Sequence, residues 1–233
     1  MSERYSGKEE LFNIESYLPN YNRSIVDYCK KYFNKKYSLL DFGSGIGTLP
    51  SIFKDLYGVS AMCVELDEDN RDKLSSRGYQ VFKNIEEVEI KVDFIFSSNV
   101  LEHIEDDSET LRKLNASLKD NGLIYLYLPA NMLLWTELDE EVGHHRRYSK
   151  KEILMKLNKT GFKVVKINYA DSLGFFAALL TKYIGYDGEK GVGSPKTLRF
   201  YDKYIFPISR ILDNLGLRFF LGKNIYVVAA KSK

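Results

Sequence analysis

The feature that most constrains this chain is the turn Asp41-Phe42-Gly43-Ser44-Gly45-Ile46-Gly47, three glycines spaced by single residues directly after the apolar run 38–42. Each glycine lets the backbone take positive φ or approach a ligand with no Cβ in the way. Apolar residues then resume at helical spacing over 49–56, which puts a helix N-terminus and its unsatisfied N–H groups just beyond the turn. Strand, glycine turn and helix start make a cradle at the carboxyl end of a strand, where open α/β sheets bind ligands.

The same alternation runs along most of the chain. Ile25, Val26, Cys29 and Phe33 predict a helix over 21–33 that leads into the first strand. Strands are expected over 38–42, 60–64, 80–82, 92–97, 123–128, 163–168 and 225–230. Helices are expected over 49–56, 70–76, 108–118 and 150–158, and Asp120-Asn121-Gly122 reads as a turn. The run Val92-Asp93-Phe94-Ile95-Phe96-Ser97 is mostly apolar, as a strand covered on both faces should be. Strands separated by helices imply right-handed βαβ units. The expected fold is therefore α/β, a Rossmann-like doubly wound, mostly parallel sheet of about seven strands with helices on both faces. We read residues 1–233 as one domain with an N-terminal helical lead-in, 1–36. Before the last strand, an aromatic-rich helical insertion, 170–223, carries Gly185, Gly188, Gly191 and Gly193.

Composition narrows the function classes. With 44% apolar and 28% charged residues the chain can bury a core, and 34 basic against 32 acidic residues leave a net charge of +2 with no basic tract to mark a nucleic-acid face. No nucleic-acid partner is expected. Cys29 and Cys63 form neither a disulfide framework nor a metal-ligand spacing, so they are expected as reduced thiols and no metal site is expected. The polar start, Met1 to Glu10, lacks the apolar stretch of a signal peptide, and the longest apolar run, 173–180, falls short of the roughly 20 residues that span a bilayer. A cytoplasmic protein without a membrane span is the expectation.

Glu65 ends the second predicted strand, 18 residues after Gly47, where a carboxylate can accept hydrogen bonds from both hydroxyls of a ribose. Nicotinamide and flavin proteins use a related turn, but their G-x-G-x-x-G/A spacing would place Gly or Ala at Thr48. Gly47 comes one position early, which favours a nucleoside cofactor without a pyrophosphate. Asp41, inside the strand, can hold water or backbone amides around a charged amino-acid tail, or simply cap the strand end.

On these residues the chain resembles the class I S-adenosylmethionine-dependent methyltransferases. Asp41 to Gly47 is similar to their first motif, Val64-Glu65-Leu66-Asp67 to the acidic ribose motif, and Ser97-Ser98-Asn99-Val100-Leu101-Glu102-His103-Ile104 to the segment after the fourth strand in the branch that methylates small molecules and quinones. The resemblance implies S-adenosylmethionine as cofactor. It places Asp41, Gly43, Ser44 and Gly45 around the methionine moiety, Glu65 and Leu66 at ribose and adenine, Asn84 and Ile85 at the adenine edge, and Asn99 and Val100 at the sulfonium. Many relatives carry Asp where Asn84 stands. Tyr21, with Tyr17 and Asn22 beside it, is expected to close over the cofactor, while His103 is expected to support its loop.

The acceptor side is expected after the fifth strand, in Gly143-His144-His145-Arg146-Arg147-Tyr148-Ser149. His144 and His145 are candidates for a base, since an imidazole takes a proton near neutral pH; both can equally tie the loop to the sheet. Arg146 and Arg147, with Tyr148, are candidate substrate-binding residues, the arginines clamping a phosphate or carboxylate or else anchoring Asp139, Glu140 or Glu141. The run resembles a subgroup of bacterial methyltransferases associated with glycan synthesis, which implies a sugar-type hydroxyl. The insertion aromatics Phe175, Phe176, Tyr183, Tyr186, Phe200, Tyr201, Tyr204 and Phe206 are expected to cover the acceptor pocket, with core packing, a homodimer interface and a peripheral membrane face as alternatives. The expected activity is methyl transfer to a hydroxyl, less readily an amine, of a small molecule or saccharide; the alternative is a cofactor-binding regulator or scaffold without turnover.

Overall fold

The computed structural model describes residues 15–184 and 194–232. Residues 1–14 of the lead-in, and Gly185, Tyr186, Gly188, Gly191 and Gly193 of the insertion, lie outside the described residues. In chain order the elements are α1 (Pro19–Cys29), β1 (Leu39–Phe42), α2 (Thr48–Tyr57), β2 (Met62–Val64), α3 (Glu68–Ser76), β3 (Gln80–Phe82), β4 (Val92–Ser98), α4 (Asp107–Ser117), β5 (Leu118–Pro129), α5 (Glu137–Glu141), α6 (Lys150–Lys159), β6 (Phe162–Ala170), α7 (Ser172–Ile184), α8 (Pro195–Phe200), α9 (Phe206–Asn214) and β7 (Asn224–Lys231).

The seven strands form one sheet in the order β3-β2-β1-β4-β5-β7-β6. The pairs from β3 through β5 are parallel, and β7 runs antiparallel to both β5 and β6. Strand order reverses beside β1, where β2 leads to one edge and β4 to the other, so the glycine turn sits at the switch point. The expected turn at Asp120-Asn121-Gly122 lies inside β5. Its register against β4 jumps from Val92↔Leu118 to Phe94↔Leu123, and Asn121 takes φ 62° to make the bend.

Alternation along the strands divides the core in two. Leu40, Ile95, Ile124 and Leu126 pack on one face with Leu111 and Leu114 of α4 and Ile153 and Leu157 of α6. Leu39, Phe94, Phe96, Tyr125 and Tyr127 face the other side, against Val26 and Cys29 of α1 and Phe53 of α2. Both cysteines are buried free thiols, and burial pushes Cys63 up to about 12. The helices start where side chains cap them: Asp67 accepts from Asn70 N at 3.1 Å, Asp106 from Glu109 N at 2.9 Å and Ser149 from Glu152 N at 3.2 Å.

The insertion is helical, as expected. α8 and α9 run on through a π-helical turn, Tyr201–Ile205, just before Pro207, whose missing N–H interrupts the α-helical ladder. The turn aims Asp202 at the start of α1, where its carboxylate accepts from Asn20 N at 3.1 Å and Tyr21 N at 2.8 Å. Asp213 likewise accepts from Asp171 N and Ser172 N, at 2.9 and 3.2 Å, where α7 begins. Among the described residues no helix is long and apolar enough to cross a membrane.

Candidate active site

β1 ends in a backbone that only glycine takes readily: Gly43, Gly45 and Gly47 have φ of 79°, 54° and 91°. Gly43 and Ser44 donate to Val64 O at 2.8 and 3.2 Å, tying the loop to the end of β2. A Cβ on Gly43 would lie 2.2 Å from Val100 Cγ2, so the loop after β4 closes directly on the glycine backbone. Glu65 braces the cradle from the β2 side, accepting from Gly45 N at 2.7 Å and Asp67 N at 2.9 Å. Burial raises its pKa against those bonds. Asp41 lies behind the loop, 4% exposed, and burial, with the nearby Glu65 carboxylate, pushes it up to about 7 despite its hydrogen bond with Ser44.

A cleft of about 940 Å³ opens over this loop. Tyr21, Gly43, Ser44, Gly45, Glu65, Leu66, Asn84, Ile85, Asn99 and Val100 all line it. Tyr21 reaches it from α1, its hydroxyl accepting from Asn224 Nδ2 at 3.1 Å. Asn99 is held at φ 52°, with its N–H on Tyr127 O at 2.8 Å. Two residues expected at the cofactor do not line the cleft: Asp41 supports the loop from below, and the Tyr17 ring lies under the Arg199 guanidinium at 4.8 Å.

The far wall carries Glu102, His103, Asp139, His144 and Arg147. Asp139 is 1% exposed and sits between two partners: His144 Nδ1 lies 2.7 Å from Oδ1, and Arg147 reaches both oxygens, Nε at 2.8 Å and Nη2 at 3.0 Å. Burial alone would raise this carboxyl, but the hydrogen bonds from His144 and Arg147 and the guanidinium charge outweigh it and hold the pKa at about 2. A carboxylate can only accept, so Nδ1 of His144 carries a proton, and in the neutral imidazole the lone pair is then on Nε2. Nε2 is 4.0 Å from Glu102 Oε1, a fully buried carboxylate. The His103 ring meets the His144 ring edge to face at 4.6 Å, and burial together with that neighbour lowers its pKa to about 4 against hydrogen bonds to the backbone of Gly143 and Val142. Among the described residues Glu102, His103 and His144 are the one group whose ligating atoms converge closely enough for a metal ion, within 4.8 Å.

The structure separates the acceptor-side candidates. His145 is exposed, its N–H on Glu102 O at 2.7 Å, and it does not line the cleft. Arg146 turns away to Asp107 Oδ2 at 2.8 Å and Glu105 O at 2.8 Å. Tyr148 is wholly buried, with its hydroxyl on Asp107 Oδ2 at 2.8 Å. Arg146 and Tyr148 build a knot on Asp107, completed by Lys156 on Oδ1 at 2.7 Å, and His144 and Arg147 alone of the run reach the cleft. Arg147 anchors Asp139, one of the two roles open to it. Asp139 and Glu102 were not singled out as site residues, although the Thr136-x-x-Asp139 spacing is a helix-start signal and Asp139 does accept from Thr136 N at 2.9 Å. Asp171, Ala177, Ala178, Thr181, Leu198 and Tyr201 bring the insertion into the same cleft.

A family profile described as "Methyltransferase domain" matches residues 14–167. The chain belongs to that family. This methyltransferase takes its methyl group from S-adenosylmethionine. Among solved structures it is similar to the chain described as a methyltransferase in a Haloferax volcanii complex with the Trm112 methyltransferase activator, at 11% identity and TM-score 0.67 over 100% of both chains. It is also similar to a methyltransferase from Thermotoga maritima, at 14% identity and TM-score 0.64 over 99% of this chain and 98% of that one. A phosphoethanolamine N-methyltransferase of Haemonchus contortus aligns at 18% identity and TM-score 0.64, over 100% of this chain and 61% of its own. At such identities the likeness is one of fold. No curated protein matches the chain.

Proposed function

We propose that this methyltransferase methylates a hydroxyl oxygen of a small molecule or saccharide, and that His144 takes the hydroxyl proton. The carrying observation is the Asp139–His144 contact of 2.7 Å in the cleft wall, which selects the neutral tautomer with its lone pair on Nε2. The Gly143 to Ser149 segment supports the saccharide class by its resemblance to glycan-associated enzymes.

The residues present fit the cofactor. Gly43 and Gly45 offer a backbone free of Cβ atoms, and Glu65 places a carboxylate beside it. We assign Glu65 and Leu66 to ribose and adenine, Asn84 and Ile85 to the adenine edge, Ser44 and the glycines to the methionine moiety, Asn99 and Val100 to the sulfonium, and Tyr21 to the cover. When bound, S-adenosylmethionine supplies an electrophilic methyl group on sulfur. His144 Nε2 would take the acceptor proton, and the Asp139 carboxylate would stabilise the resulting imidazolium. Arg147 positions Asp139. Catalysis then comes from alignment and one proton transfer. The insertion residues in the cleft wall cover the acceptor and keep water out, within a single domain.

The test is S-adenosylhomocysteine release over a panel of sugar, phenolic and amine acceptors. At saturating cofactor His144→Ala should lower kcat by roughly 10²–10⁴, whereas His145→Ala should leave it unchanged. An unaltered kcat in His144→Ala would remove the base, and turnover confined to amines would remove the hydroxyl class.

A further inference from the structure

We propose that the helices between β6 and β7 seat the methyltransferase on an anionic lipid surface. Ten large apolar side chains among the described residues there are 50 to 79% exposed, Phe200 and Tyr204 included. On α7 they include Phe176, Leu180 and Tyr183, four and three residues apart; on α9 and at its C-cap they include Ile208, Ile211 and Leu215, three and four apart. Those spacings put each trio on one helical stripe. Phe219 and Phe220 follow directly. In a soluble helix packed on a sheet this stripe should face the core, yet the core is already filled by the other side of α9 through Phe206, Ser209 and Asp213.

Charge selects the occupant. Lys182, Lys196, Arg199 and Lys203 are exposed along the same helices, whereas the three acids among the described residues of this segment, Asp171, Asp202 and Asp213, are 1%, 3% and 2% exposed and each accepts from the N–H groups of a helix start. Outward-facing apolar stripes whose exposed charges, among the described residues of the segment, are all cations have the chemistry of an interfacial amphipathic surface on anionic headgroups. A second protein copy would bring the same positive rim against itself. The contact is superficial, since α7 has 13 residues and no described helix can span a bilayer. The stripe also adjoins the cleft: Lys182 Nζ donates to Leu133 O at 2.8 Å, Met132 and Leu133 are exposed beside it, and Ala177, Ala178 and Thr181 of α7 line the cleft wall. An acceptor carried in or on the membrane would thus enter beside α7. The docking surface itself stands whatever the acceptor is.

Vesicle co-sedimentation tests it, with phosphatidylcholine vesicles containing about a third phosphatidylserine compared with pure phosphatidylcholine at 0.15 M salt. The full chain should bind the anionic vesicles at least tenfold more tightly, and 0.5 M salt should release it. Leu180→Ser with Leu215→Ser should weaken binding at least tenfold, and Lys196→Glu with Lys203→Glu by roughly 25-fold, fivefold per cation. S-adenosylmethionine affinity, measured by calorimetry, should be unchanged in both variants, which establishes that they are folded and separates this surface from the methylation site. Equal binding to both vesicle types, equal binding by the variants, or a concentration-dependent dimer abolished by Leu180→Ser with Leu215→Ser would overturn the proposal.

Discussion

Single residues carry the sharpest consequences. A methyl on Gly43 meets Val100 Cγ2 at 2.2 Å and forces a non-glycine residue to φ 79°, so Gly43→Ala should destabilise the protein by about 1–3 kcal/mol. Adding Val100→Ala removes the collision but not the backbone strain. The double variant should therefore recover part of the midpoint in urea denaturation and little of the cofactor affinity. Asp41 gives a pH signature. Its folded pKa of about 7 lies above that of an unfolded carboxyl, roughly 3.9. Stability from this group is therefore full below about pH 4 and is lost as pH rises toward 7. Asp41→Asn should match the wild type near pH 4 and exceed it at pH 8 by up to about 4 kcal/mol, read from urea midpoints at the two pH values. Asp139 has the opposite sign. Held at about 2 by His144 and Arg147, it contributes stability above about pH 4 that disappears as pH falls toward 2.

At the scale of elements, α1 depends on a residue far along the chain. Asp202→Ala removes the carboxylate that accepts from Asn20 N and Tyr21 N, and should cost about 1–2 kcal/mol. Tyr21 and Asn22 line the cleft, so the same variant should bind S-adenosylmethionine more weakly, which calorimetry would show. No local pattern announces that cap, because the partners are 181 residues apart. Local signals otherwise located the elements well. Helix and strand periods put α2, α3, α4 and α6 within two residues of their ends, and all seven strands were found. The glycine-loop wall of the cleft is legible for the same reason: Gly43, Glu65 and Asn99 each follow a strand directly, so chain position fixes where they emerge. The acceptor wall was not. Whether His144 or His145 faces the cleft is decided by α5 and by the Asp139–Arg147 pairing, and residues 143–148 have no period from which facing can be read. The convergence of Glu102, His103 and His144 has no local spacing to announce it, because its members come from two segments about 40 residues apart.

For the whole molecule, cofactor and stability are linked by mass action. S-adenosylmethionine at a hundred times its Kd should add about 2.7 kcal/mol, a rise in Tm of roughly 5–10 °C for a chain of this length. NAD should give no rise, and the reverse pattern would return the cradle to the nicotinamide proteins. Two parts of the sheet differ in how they are completed. β1 to β5 pair with neighbours that are close in the chain, but β5 and β6 never touch; the gap between them is filled by β7, which arrives only after the whole insertion. During synthesis both flanking edges must therefore wait, open, until residue 231 has left the ribosome. A nascent chain stalled within the insertion would present two unsealed β-edges to its neighbours, the state in which a chaperone is most needed.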